Sequence, residues 1–215
     1  MISPKVDPKN VGLVKLVYRL RQSIDLYRII GMNVEAIKQS AGGPTFWAHV
    51  QVLALESVAL SVCKIYEHEK HNELNSIPGI IDHLSTVCPA EQKISVDRFL
   101  ERFGGALGST DLLEQLRTVF KKFCSDHSVS LQKFRVYRDK VGAHSEHGAA
   151  LDSLPSVDEF EQMFEFADSF YRLVSGGLLN IGPALVGAHV AVDVVAVLKR
   201  LGIVNPKINF EAKSA

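Results

Sequence analysis

The stretch Phe134-Arg135-Val136-Tyr137-Arg138-Asp139-Lys140-Val141-Gly142-Ala143-His144 decides how this chain is read. Phe134, Arg138 and Val141 recur at steps of four and three, which places them on one side of a helix. Lys133, Tyr137 and Lys140 form a neighbouring stripe at the same spacing. Gly142 suits the position just past a helix end, where a left-handed backbone is cheap only without a Cβ. The pattern therefore predicts a helix from about Ser128 to Val141, with Arg138 one turn before its end. His144 follows in the loop that folds back beside that turn.

Arg138 and His144 bring complementary chemistry to one place. Arginine is always charged and offers a planar fork of donors that fits phosphate. Histidine titrates near neutral pH and can move a proton. Together they form a small kit for cleaving RNA without metal: the ribose 2′-OH attacks, the imidazole takes or gives the proton, and the guanidinium neutralises charge on the phosphate. On this reading Asp139 holds the arginine or the histidine in place, and Lys140 touches phosphate. Lys133, Tyr137 and His147 are candidate RNA contacts. The competing reading needs no chemistry: a helix-terminal Arg–Asp pair and a capping histidine are ordinary structural features.

Working outward, the rest of the chain reads as apolar helix. Asp7-Pro8 looks like an N-cap followed by proline at the first helical position. Leu13, Leu16, Val17, Leu20, Ile24, Tyr27, Ile30, Val34 and Ile37 then recur at three and four, predicting one long helix, or two with a break near Gly31, up to Gly42-Gly43. Lys15, Arg19 and Arg28 fall on its outer side. Pro44 opens a second helix, with Phe46, Val50, Leu53, Ser57 and Leu60 on one face and Trp47, Val52, Leu55, Val58, Ala59 and Val62 over most of the rest. A helix apolar nearly all round is central in its bundle or lies at a subunit contact.

Short helices are expected from Ser76 to Val87 and from Ser95 to Phe103. Asp111 and Glu114 start another, with Leu112, Leu116, Val119, Phe120 and Phe123 inward and Arg117, Lys121 and Lys122 outward. Ser156-Val157-Asp158-Glu159 is a capping box that opens a helix to Gly176, lined by Phe160, Met163, Phe164, Ala167, Phe170, Tyr171 and Val174. A last short helix runs from Val190 to Leu201.

The chain has 215 residues, 47% of them hydrophobic, enough for one sizeable core. Lys plus Arg equals Asp plus Glu at 24 each, so any RNA contact must be a local patch, because phosphate affinity follows local positive charge. Cys63, Cys88 and Cys124 contain no Cys-x-x-Cys pair and fit buried free thiols in a reducing cytoplasm better than disulfides or zinc. His68 and His71 lack a third ligand at matching spacing, so neither a metal nor another cofactor is expected. Met1 to Pro8 has no apolar core and does not read as a signal peptide. The apolar run from Ala184 to Leu198 is too short for a membrane span. No phosphate-binding glycine loop and no internal repeat is present.

Arg138, a polar residue directly after it, and His144 five residues further on resemble the signature of the HEPN superfamily: Arg, four to six residues, His. The fuller run Arg138-Asp139-Lys140 then Ala143-His144 looks like the abortive-infection, AbiU-like branch. So does the aromatic-led helix from Phe46-Trp47 to Lys64-Ile65-Tyr66-Glu67, followed by a linker and Ser76-Ile77-Pro78. The resemblance covers roughly residues 44 to 175. It implies a helical bundle, a homodimer that brings two copies of the motif together, and, in active members, a metal-independent endoribonuclease of toxin–antitoxin and antiphage systems. Relatives that only bind or scaffold also exist.

The expectation is thus a single all-α domain over residues 1–215 with six to eight helices. A HEPN-like four-helix core (near 9–41, 44–66, 128–141 and 156–176) spans about 9–176, with a C-terminal extension over about 177–215. The expected function is RNA cleavage by Arg138 and His144 in the cytoplasm, away from any membrane, with an antitoxin or other defence protein as a partner. The alternative is a non-catalytic, dimeric, HEPN-like interaction module.

Overall fold

The computed structural model describes residues 12–40, 43–68, 75–84, 93–105, 111–139, 154–178, 189–203 and 206–207. Among them the chain is helical and has no strand: α1 Gly12–Met32, α2 Val34–Gln39, α3 Pro44–Tyr66, α4 Ile77–His83, α5 Lys93–Arg102, α6 Leu112–Asp126, α7 Ser128–Tyr137, α8 Val157–Arg172, a π-helical turn Leu173–Leu178, and α9 His189–Arg200.

Local chemistry sets the ends. Ser156 accepts from the Glu159 backbone N–H while the Glu159 carboxylate accepts from that of Ser156, the full capping box. Asp111 caps α6 through the Glu114 N–H, and Ser76 caps α4 through that of Gly79. Pro44 opens α3 after Gly43, whose φ of 67° needs a glycine. The expected break in the first helix falls at Asn33 rather than Gly31. The buried Asn33 amide donates to Ile29 O (2.8 Å) and Lys207 O (3.1 Å) and accepts from Lys207 N (2.8 Å). That clamp fixes the kink and ties residues near the C-terminus back to α1. The division of the first helix at Asn33 carries the described helices past the six to eight expected.

The four expected core helices pack together. The apolar faces of α1 and α3 meet through Leu13, Val17, Leu20 and Ile24 against Val58, Val62 and Ile65, all buried. α8 lies on α1, and α7 lies on α3. α7 and α8 meet at Phe134 and Phe160, whose ring centroids are 5.9 Å apart. α5 and α6 close the other side around Phe166, which is fully buried and stacks on Phe123 at 4.0 Å and edge-on to Phe103 at 4.7 Å. The helical spacing predicts Phe164 in that role. Phe164 is instead half-buried, with the Arg21 guanidinium 5.0 Å over its ring. A second, smaller core joins the far end of α1 to α2, α3 and α9 through Ile29, Ile30, Ile37, Trp47, Val194 and Leu198.

Arg28 also departs from its expected place on an outer face. It bonds Glu161 at 3.2 Å and lies 3.6 Å from Asp25, which is 1% exposed. Arg21 bonds the same two carboxylates, so the four side chains clamp α1 to α8. Lys15 and Arg19 are exposed as expected.

α3 has 23 residues and holds an 18-residue stretch of mean hydropathy 1.5, long and apolar enough by composition to cross a membrane. One side of it (Trp47, Ala54, Leu55, Val58, Val62, Ile65) is core, which produces the same signal. The other side leaves Phe46, Val52, Leu53 and Leu60 exposed.

Candidate active site

α6 and α7 follow one another through a single turn at His127, so α7 starts where the sequence placed it. Phe134 is fully buried and Tyr137 is 6% exposed, which fixes the rotation of α7. Lys133 fixes it again from the outside, bonding Glu159 at 2.8 Å beside Ser130, which reaches the same carboxylate at 2.7 Å. With those anchors set, Arg138 leaves the end of α7 toward the end of α3.

Arg138 Nη1 donates to Glu67 Oε2 at 2.5 Å, and its Nε donates to Asp139 Oδ1 at 2.8 Å. Arg135 Nε donates to the other oxygen of Glu67 at 3.0 Å. Glu67 is the residue that caps the C-terminus of α3. Its neighbour Tyr66 is buried and donates to Met163 O at 2.6 Å, so the carboxylate sits on a rigid stub. Arg138 Nη2 makes no hydrogen bond among the described residues. The bonds from Asp139 and Glu67 outweigh partial burial and push the Arg138 pKa up, so the guanidinium is charged at any working pH. The immediate charge is balanced: Arg135 and Arg138 against Glu67 and Asp139.

Cys63 lies one turn before Glu67. Burial pushes its thiol up to about 11, although Arg138 and Arg135 pull the other way. Burial likewise pushes Cys124 up to about 11. Both are free thiols held protonated, hence poor nucleophiles. Tyr137, a candidate RNA contact in sequence, is packed inside, and burial pushes its hydroxyl up to about 12. Lys133 is half-buried on Glu159. His144, Lys140, His147, Gly142 and Val141, along with Cys88 and His71, lie outside the described residues.

Glu67 and Arg135 were missed as parts of the site. Arg135 carries a local signal, since it precedes Arg138 by three and shares its side of the helix. Glu67 carries none, because its partner is 71 positions away. Arg117, expected on the outward face of α6, pairs with Asp82 of α4 at 2.9 Å, and Lys121 and Lys122 are exposed as expected. His68 lies 3.4 Å from the same Asp82. No group of three or more His, Cys, Asp or Glu able to hold a metal is found among the described residues.

A family model described as AbiU2, of the HEPN type, matches residues 7–188. No curated protein and no solved structure matches the chain.

Proposed function

Because the chain belongs to the AbiU2 family of HEPN proteins, we propose that it is a metal-independent endoribonuclease of a toxin or antiphage defence system, with Arg138 and His144 at its centre. The observation that carries this reading is the fixed Arg138 guanidinium. Glu67 and Asp139 occupy Nη1 and Nε, and Nη2 is left without a partner among the described residues. A fork aimed by two carboxylates loses little entropy on taking a phosphate oxygen.

His144 follows as the proton carrier. It takes the proton from the 2′-OH as that oxygen attacks phosphorus. The bond from phosphorus to the 5′-oxygen breaks, and that oxygen leaves with a proton from the imidazolium of His144 or of a second copy. Arg138 holds the phosphate and meets the charge that develops on it. RNA as substrate, a homodimer, an antitoxin-like protein partner and a cytoplasmic location belong to the same reading.

One observation favours the second reading, a non-catalytic dimeric module. The charge around Arg138 is already balanced, and the whole chain is neutral. Incubating the protein with RNA in EDTA separates the two. Cleavage that persists in chelator and disappears in both His144→Ala and Arg138→Ala supports the nuclease. Intact RNA with the unmodified protein supports the module.

A further inference from the structure

A cavity of about 350 Å³ opens where the C-terminal ends of α5 and α6 meet α8. Phe103 and Phe123 line it, and each carries a flat polar group. The Arg102 guanidinium carbon lies 5.5 Å over the Phe103 ring, and the His127 imidazole leans on Phe123 with ring centroids 4.4 Å apart. Arg102 is held there by Ser169 Oγ at 3.2 Å and by Glu165 at 3.6 Å. Guanidinium and imidazole planes of this kind are surfaces on which unpaired RNA bases stack.

The backbone makes room for a third group. Gly104 has a φ of 72°, which needs a glycine, and a Cβ there would stand 2.6 Å from Lys122 Nζ. The ammonium therefore lies against the Gly104 turn. Lys122, Asp126 and Gln162 all line the cavity, and none of the three has a partner among the described residues. The formal charges of Arg102 and Lys122 balance those of Asp126 and Glu165. Such a cavity suits a flat, neutral ligand with donors and acceptors along one edge better than a bare anion.

We propose that this cavity is a recognition subsite for a guanine base in single-stranded RNA. Guanine presents two adjacent donors, N1–H and N2–H, which one carboxylate accepts together, and beside them the acceptor O6. Asp126 accepts from N1 and N2, Lys122 or Gln162 donates to O6, and Arg102 and His127 stack on the ring. Adenine and cytosine set a donor next to an acceptor on this edge, and uracil sets one donor between two acceptors. Each of them turns an acceptor toward one oxygen of the carboxylate.

The cavity and Arg138 stand at opposite ends of α7. Arg138 is eleven residues beyond His127, or ~16 Å at 1.5 Å per residue. A guanine seated in the cavity holds a short strand at a set offset from the phosphate at Arg138. The subsite thus gives the nuclease reading a base preference, and it rests on that reading only for the phosphate.

Fluorescence anisotropy on the His144→Ala chain in EDTA reads binding while the strand stays whole. The probes are labelled uridine hexamers with guanine, inosine, adenine or uracil at one internal position. The guanine strand should bind about tenfold more tightly than the adenine and uracil strands. Inosine, which lacks the N2 amino group, should fall several-fold short of guanine. Adding Asp126→Asn should erase the preference with unchanged helical circular dichroism, because Asp126 is exposed. Equal affinity for all four strands, or no binding of any, overturns the subsite. A guanine preference that survives Asp126→Asn overturns this cavity as its source. Free guanosine monophosphate tells a strand from a nucleotide. Displacement of the labelled guanine strand only by a large excess supports the RNA base, and displacement at concentrations where the unlabelled strand competes overturns it. Cleavage by the unmodified protein is scored apart. Cleavage without a guanine preference in binding overturns the subsite and leaves the nuclease standing, whereas a guanine preference without cleavage supports the subsite and counts against the nuclease.

Discussion

Arg138 and Glu67 stand 2.5 Å apart across the ends of α7 and α3, and Arg135 holds the other oxygen of the same carboxylate at 3.0 Å. Glu67 therefore ties the two arginines together, and on the nuclease reading it is a positioning residue that acts through Arg138. Glu67→Ala releases Arg135 and Arg138 Nη1, leaves Arg138 held by Asp139 alone, and removes one negative charge. On the nuclease reading, RNA should bind more tightly and with steeper salt dependence, because the local charge becomes positive. Turnover should fall about tenfold to a hundredfold, because Arg138 loses its aim. A titration and a single-turnover assay on the same variant check both halves. A Glu67→Ala protein with unchanged turnover would remove Glu67 from the mechanism.

Glu159 gives a pH prediction. Burial pushes its carboxyl up, but the bonds from Lys133, the Ser156 N–H and Ser130 override that and hold it at about 2, against an ordinary 4.5. A carboxylate depressed in the folded state stabilises fully above the unfolded value and loses that contribution as pH falls through the folded one. The stability should therefore decline between about pH 4.5 and about pH 2. Glu159→Gln should lose about 1–3 kcal/mol at neutral pH and flatten this acid slope. Denaturant midpoints measured at neutral and acid pH give both values.

Phe166 and Phe164 should separate cleanly. Phe166 is fully buried among rings from α3, α5 and α6, so Phe166→Ala should cost about 3–5 kcal/mol. Phe164 is half-buried under Arg21, so Phe164→Ala should cost under ~2 kcal/mol. Thermal or denaturant unfolding of the two variants decides it, and equal losses would contradict the packing described.

These residues also mark where the sequence could be read. The caps at Ser76, Asp111 and Ser156, the start of α3 at Pro44 and the start of α7 at Ser128 are local signals, and each helix begins where the signal puts it. Phe166 lies at the edge of the apolar stripe that the helix pattern marks, and it is buried because α8 is covered on two sides, by α1 and by α5 with α6. The shift of the break from Gly31 to Asn33 has the same origin. Glycine is the locally weak residue, but the bonds from Asn33 to Lys207 come from the far end of the chain. At the site, Arg138 and Asp139 were legible as a motif. Glu67 was visible only as a helix end, since nothing local says which distant guanidinium a carboxylate will hold.

On the proposed reading, Arg138 and His144 cleave RNA by attack of the 2′-OH. The most direct measurement compares an RNA with the same strand carrying one 2′-deoxy nucleotide at the cleaved position, in chelator, with the product ends identified by mass spectrometry. The all-ribose strand should yield a 2′,3′-cyclic phosphate and a 5′-hydroxyl. The deoxy strand should bind and stay intact, His144→Ala should cleave neither, and Arg138→Lys should not replace the arginine, because an ammonium lacks the fork. Cleavage of the deoxy strand at the all-ribose rate would contradict 2′-OH attack and return the protein to the role of a binding module.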